Sequence, residues 1–161
     1  MDKQNLEQLL KDHHTDAFMW ARQCCKYNSE DAREVLQIVY LKIFEGKAVY
    51  RGKSAFKTWL FSVIRFSAID MMKKERSYES LEHLTLVHEQ PEELEQPNYK
   101  RLLAKLSDRQ HQVLLLSFYH DMTLAEIAEV IDVHIGTVRT HYERGKEALR
   151  TLIQQEAHGK A

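Results

Sequence analysis

TLAEIAEVIDVHIGTVRTHYERGKEALR, residues 123–150, spells a helix, a short turn and a second helix in its residue spacing. Thr123 is placed to cap the first helix, and Glu126 three residues on completes a capping box. Leu124, Ile127, Ala128 and Ile131 recur at helical spacing and make one apolar face. Ala128 is small enough for two helices to cross closely, and Val138 would pack back onto that crossing. Asp132, Val133, His134, Ile135 and Gly136 lie between the helices. After Gly136 one face carries Thr137, Arg139, Thr140, His141, Arg144 and Lys146. Hydroxyls and cations on one helical face are what a DNA major groove accepts. The competing reading is an ordinary helical hairpin whose charges are merely solvated, and the rest of the chain bears on that choice.

The 161 residues hold one or two small domains. Five Gly, two Pro and 29% charged residues suit a helical protein. No apolar run approaches the ~20 residues of a membrane span, and no signal peptide opens the sequence, so a cytoplasmic protein without membrane insertion is expected. Cys24 and Cys25 are adjacent and are the two cysteines of the chain. Neighbours cannot staple a fold, and they lack a metal-ligand partner set, so they read as buried thiols on a helix. The nine His are scattered apart from His13 and His14, with no ligand cluster among them.

The net charge of −1 suits a nucleic-acid binder poorly, but the distribution matters more than the sum. Residues 1–78 carry 14 Lys or Arg against 10 Asp or Glu. Residues 79–97 carry six Glu and no Lys or Arg, and residues 98–161 carry nine cations against eight acids. The excess is sharpest from Arg51 to Arg76, with seven cations and two acids. Two cationic surfaces separated by an acidic strip are implied.

Upstream, Leu6, Leu9, Leu10, His13, Ala17, Trp20, Ala21 and Cys24 follow a helical period, with Thr15 a cap for a second segment. After a turn at Tyr27-Asn28, Ser29 is a good N-cap, with Glu30 and Asp31 favourable in the first turn. That helix runs to about Glu45 and stops at Gly46. Ala32, Val35, Val39 and Ile43 form its inward face. Asp31, Glu34, Ile38 and Leu41 form a second stripe, part acidic and part apolar, which suits either a protein partner or plain solvation. A loop over Lys47–Lys53 leads to Ser54, a cap for the long helix SAFKTWLFSVIRFSAIDMMKKER. Phe56, Trp59, Leu60, Val63 and Ile64 make its core side, while Lys57, Arg65, Phe66, Lys73 and Lys74 lie elsewhere around it. Aromatics among cations suit single-stranded DNA, because cations meet phosphates and rings stack on bases, although rings at helical spacing are also ordinary core.

From Ser77 to Asn98 the periodicity breaks across both prolines and a Glu-rich run, which reads as a linker, extended or partly disordered. Tyr99–Leu106 resumes a short helix. Ser107 with Gln110 forms another capping box, opening a helix through Val113, Leu114, Leu116 and Phe118 that packs on the helix-turn-helix. The tail after Ile153 is polar and expected to fray.

Three motifs in this order resemble the extracytoplasmic-function sigma factors, the compact class of bacterial RNA polymerase initiation factors. Asp31-Ala32-Arg33-Glu34-Val35-Leu36-Gln37 is similar to the family's polymerase-docking helix. Tyr50-Arg51-Gly52-Lys53-Ser54-Ala55-Phe56-Lys57-Thr58-Trp59-Leu60 is similar to its promoter-melting segment. Leu106-Ser107 through Arg150, with Glu126-Ile127-Ala128 and Gly136-Thr137-Val138-Arg139, is similar to its C-terminal DNA-reading domain. The match runs from about residue 5 to 153. It implies an all-α chain of two small helical domains joined by a flexible acidic linker: residues 1–78, the linker 79–98, and residues 99–161 with the helix-turn-helix.

The resemblance also implies roles. The first domain would dock on the clamp helices of the polymerase's largest subunit through Asp31, Glu34, Gln37, Ile38 and Leu41. It would open the minus-ten element with Tyr50, Arg51, Lys53, Lys57, Arg65 and Phe66. The second would sit on the polymerase flap and read the minus-thirty-five element with Thr137, Arg139, Thr140, His141, Arg144 and Lys146. An anti-sigma factor is a common partner in the family. No cofactor, metal or catalytic residue is implied, because the chemistry belongs to the core enzyme. Four positions depart from the family pattern: Ile38 replaces a usual carboxylate, Phe66 a frequent Asn, His141 a frequent Arg, and Asp132 a frequent Gly. Asp tolerates a left-handed backbone better than most residues, so the turn at 132 survives. Two rival classes share parts of this pattern. A dimeric helix-turn-helix regulator would footprint a palindrome without polymerase docking. A protein-binding adapter would lack the DNA-facing cations.

Overall fold

The computed structural model describes residues 2–82 and 98–159, and it divides the chain into two compact units, Met1–Glu92 and Glu93–Ala161. The regular elements of the described residues are all helices, with no strand among them. The linker expected over 79–98 lies, for residues 83–97, outside the described residues. No helix of the described residues is long and apolar enough to cross a membrane.

The N-terminal unit contains α1 (Lys3–Asp12), α2 (His14–Cys24), α3 (Ser29–Phe44) and α4 (Phe56–Glu82). α2, α3 and α4 pack on one another, and α1 leans on α2. Trp20, Val35, Val39, Leu60, Phe61 and Ile64 are fully buried at their centre. The Trp20 indole N–H donates to the Phe61 carbonyl at 3.1 Å, and the two rings stack 4° from parallel with centroids 5.6 Å apart. An indole buried with its one donor satisfied adds area without a desolvation penalty.

Local chemistry shifts several boundaries from the sequence reading. The chain breaks at His13, between α1 and α2, rather than at Thr15. α3 is capped by Asn28, whose side-chain oxygen accepts the Asp31 N–H at 3.0 Å, so Ser29 is the first helical residue. α3 ends at Phe44 and the chain turns at Gly46, with φ +74°, a left-handed conformation that costs glycine nothing. α4 opens at Phe56 with Ala55 as the flanking residue, and Ser54 instead offers its carbonyl to the Tyr50 hydroxyl. α4 also continues as helix through Glu82, past Ser77 where the periodicity breaks. Apolar spacing reports a buried face, whereas a helix can continue on backbone propensity after that face ends.

The C-terminal unit contains α5 (Asn98–Leu103), α6 (Asp108–Leu114), a π-helical turn (Leu115–Tyr119), α7 (Leu124–Ile131) and α8 (Ile135–Gly159). α8 is the hub, packing against α5, α6 and α7. Leu103, Leu106, Leu114 and Leu115 form a buried cluster that Tyr142, Ala148, Leu149 and Leu152 cover. Gly145 lets α8 cross α6 closely: a Cβ there would lie 3.3 Å from the Leu114 side chain and 3.4 Å from Gln110. The helix expected through Phe118 is α-helical only to Leu114. The π turn, with His120 N–H bonded back to the Leu115 carbonyl at 3.2 Å, leaves Phe118 and Tyr119 exposed. α8 continues as helix past Ile153. Helix-forming Gln154, Gln155, Glu156 and Ala157 carry it to Gly159, and Glu156 pairs with Arg101 of α5.

Candidate nucleic-acid interface

Thr123 accepts the Glu126 N–H at 3.1 Å and Glu126 accepts the Thr123 N–H at 3.0 Å, so both halves of the capping box form and set where α7 starts. Asp132 ends α7 in the left-handed region at φ 55°, ψ 52°, and the Val133 N–H bonds back to the Ala128 carbonyl at 3.2 Å. That residue reverses the chain in very few steps, so α8 begins at Ile135, one residue before Gly136. Val138 is fully buried against this corner with Ile127 and Ile131. Burial of residue 138 decides which way the rest of the first turns must face.

Thr137, Arg139, Thr140 and Arg144 are exposed on α8. The Thr140 hydroxyl donates to the Gly136 carbonyl at 3.1 Å, which holds it against its own helix with lone pairs still available. His141 is half-buried. Lys146 is half-buried too, 4.3 Å over the Tyr142 ring and 3.6 Å from the Glu143 carboxylate. Its charge is thus partly engaged within the helix, unlike the two arginines placed with it in the sequence reading.

In the N-terminal unit the expected single-strand residues separate into two groups. Arg51 and Lys53 are exposed on the loop, and Phe66 is 67% exposed on α4. Tyr50 is half-buried: its ring meets Phe56 edge-on at 5.3 Å and Trp59 at 5.4 Å, and its hydroxyl holds Ser54. Tyr50 therefore shapes the loop, and Phe66 is the ring that solvent reaches. Lys57 lies 3.9 Å from Asp16 and 5.5 Å over the Phe61 ring, and Arg65 is half-buried. Lys42 of α3, absent from the sequence reading of this surface, reaches α4. Its ammonium donates to the Ser67 hydroxyl at 3.2 Å and lies 5.7 Å from the Phe66 ring centre. Two residues 24 positions apart on different helices leave no local sequence signal.

On α3, Glu34, Gln37 and Leu41 are exposed, with Leu41 59% exposed, while Asp31 and Ile38 are half-buried. A carboxylate oxygen from each of Asp31, Glu34 and Glu75 lies within 4.8 Å of the others, so α4 adds a third acid beside the α3 stripe. Cys25 lies near them. Burial, then Asp31, Glu75 and Glu34, push its thiol up to about 12, and burial raises Cys24 well above the ordinary thiol range. Both stay protonated thiols at neutral pH. Of the two thiols expected to be buried on a helix, Cys25 is buried but lies just past the end of α2, and Cys24, the last residue of α2, is half-buried.

Residues 9–78 match the family model of sigma-70 region 2, and residues 98–149 match that of sigma-70 region 4. The RNA polymerase sigma factor SigV of Bacillus subtilis (strain 168) is 25% identical over 152 residues, spanning 91% of this chain and 90% of that protein. The ECF RNA polymerase sigma factor SigW of the same organism is 26% identical over 145 residues, spanning 79% and 78%. Among solved structures, the sigma factor RpoE bound to the anti-sigma factor NepR from Bartonella quintana aligns with a TM-score of 0.74 at 18% identity, covering 93% of this chain and 97% of that one.

Proposed function

We propose that this chain, which belongs to the extracytoplasmic-function class of the sigma-70 family of RNA polymerase sigma factors, binds bacterial core RNA polymerase and directs it to specific promoters. Residues 1–78 act as the docking and melting domain, residues 79–98 as the linker, and residues 99–161 as the minus-thirty-five reader. One observation carries the reading: Thr137, Arg139, Thr140 and Arg144 are exposed while Val138 among them is fully buried, so the corner that anchors α8 leaves their hydroxyls and guanidiniums open to solvent. Arg139 and Arg144 read base edges, and Thr137 and Thr140 contact the backbone. Phe66, with Lys42 beside it, stacks on an unpaired minus-ten base while Arg51 and Lys53 meet phosphates. The apolar groove of about 310 Å³ lined by Leu102, Leu115, Phe118 and Ile153 receives the polymerase flap. The α3 stripe of Asp31, Glu34, Gln37, Ile38 and Leu41 meets the clamp helices. An anti-sigma factor, the kind of partner bound to the Bartonella quintana protein, competes for these faces.

Run-off transcription with purified core polymerase and genomic templates tests the reading. Discrete transcripts that require this chain are expected, and a pattern identical to core polymerase alone overturns it. Glu34→Arg is expected to weaken capture of core polymerase by about 1–3 kcal/mol, roughly five- to hundredfold, through charge reversal in an interface. Unchanged capture removes α3 from the interface. Phe66→Ala is expected to spare closed-complex binding and to reduce permanganate reactivity of promoter thymines, because a base–ring stack is worth about 1–3 kcal/mol. Full reactivity in that variant assigns the melted base elsewhere.

A further inference from the structure

His134 is the last residue before α8, and its carbonyl accepts the N–H groups of Thr137 at 3.0 Å and Val138 at 3.1 Å, so it stands at the N-cap. An N-cap usually satisfies an orphan N–H with a short side-chain oxygen. Here an imidazole does so: His134 Nδ1 accepts the Gly136 N–H at 3.0 Å. A side chain at residue 136 would crowd the ring and force it to shift by a few tenths of an ångström. A Cβ there would lie 3.1 Å from Nδ1 and 3.4 Å from Cε1 of the ring. Gly136 leaves the space and His134 fills it with an acceptor. A ring nitrogen that accepts carries no proton, so the neutral imidazole keeps its proton on Nε2. Thr140 joins the same set of contacts, because its hydroxyl donates to the Gly136 carbonyl at 3.1 Å.

We propose that His134 is a positioning residue for promoter reading, holding the first turn of α8, and with it Thr137, Arg139 and Thr140, in the binding geometry. The proposal rests on the reading of α8 as the promoter-reading helix. An uncapped first turn frays, and a frayed turn must order when DNA arrives. Apparent affinity is multiplied by the fraction of molecules already ordered, so it falls as the turn frays.

Exchange and 15N spectra are read on the full chain alone, and DNA binding is measured on the full chain assembled with core RNA polymerase, with a randomised duplex pool and with the duplex the wild-type complex selects from it. In DNA-free protein, 15N spectra are expected to show His134 Nδ1 unprotonated and Nε2 protonated. His134→Ala is expected to speed amide exchange at Gly136 and to weaken binding of the selected duplex, each by about two- to thirtyfold, the range of a lost N-cap. His134→Asn supplies a short acceptor and is expected to restore most of both. Gly136→Ala is expected to weaken binding in the wild type, where it displaces the ring, and to add little in the His134→Ala background. Unchanged exchange at Gly136 in His134→Ala overturns the cap. Normal exchange with weak binding in His134→Asn overturns positioning and gives the ring a direct DNA contact. A wild type that selects no duplex overturns the promoter reading and the positioning role with it, while exchange and 15N shifts still report whether the cap exists.

Discussion

Trp20→Ala is expected to unfold the N-terminal unit near physiological temperature while the C-terminal unit keeps its own melting transition. Trp20 is 1% exposed, stacks on Phe61, and donates its indole N–H to the Phe61 carbonyl. Removing it leaves a cavity between α2 and α4 and strips a hydrogen bond from a buried carbonyl. A buried Trp→Ala change costs about 3–5 kcal/mol, against a total of about 5–15 kcal/mol for a domain. With a domain of this size losing about 4–8 °C per kcal/mol, the first transition should fall by roughly 15–30 °C. The C-terminal unit has a separate core around Leu114, Leu115 and Leu149 and should melt as before. Thermal denaturation followed by circular dichroism and by amide spectra of each unit checks both halves. A shift of only a few degrees means that Trp20 is not the keystone of that core.

Arg139→Ala and Arg144→Ala are expected to change which DNA the protein chooses. Both guanidiniums are exposed on α8, and among the described residues neither is tied into an ion pair at the distances that hold Lys146. A bidentate arginine–guanine contact is worth about 1–3 kcal/mol of discrimination, roughly five- to hundredfold per base pair. Each substitution should relax preference at one or two positions of the minus-thirty-five box, and the pair together should remove most of it, because the contacts fall on different base pairs. Lys146→Ala should change little beyond a small uniform loss, since its ammonium is already shared with Tyr142 and Glu143. Selection from a randomised minus-thirty-five box, with binding measured against salt, separates these effects. Identical selected sequences for the wild type and Arg139→Ala would remove α8 from base reading.

The sequence by itself determined the all-helical architecture, the inward face of α3, and the helix-turn-helix with its capping box; on α4 it placed Phe56, Leu60 and Ile64 inward but missed the fully buried Phe61 and included Trp59 and Val63, which are half-buried. Those features follow from short-range rules. A period of 3.6 residues shows in any window of a dozen, and Thr123 with Glu126 are three residues apart. It also exposed the family likeness, because the three motifs are contiguous runs. Boundaries were less legible where a side chain other than the expected one won the cap, as Asn28 did over Ser29 and His134 did before α8. Continuations past Ser77 and Ile153 escaped because a helix can persist without an apolar stripe.

Only the tertiary structure decided which candidate groups remain available. Tyr50 and Phe66 are both aromatic residues near cations in sequence, yet packing against Phe56 and Trp59 leaves one ring half-buried, while α4 turns the other to solvent. Lys42 beside Phe66, and Glu75 beside Asp31 and Glu34, are pairings across helices far apart in sequence. Local rules act over four residues, whereas these contacts depend on how α3 and α4 cross, and that crossing is set by the shape of the whole buried core.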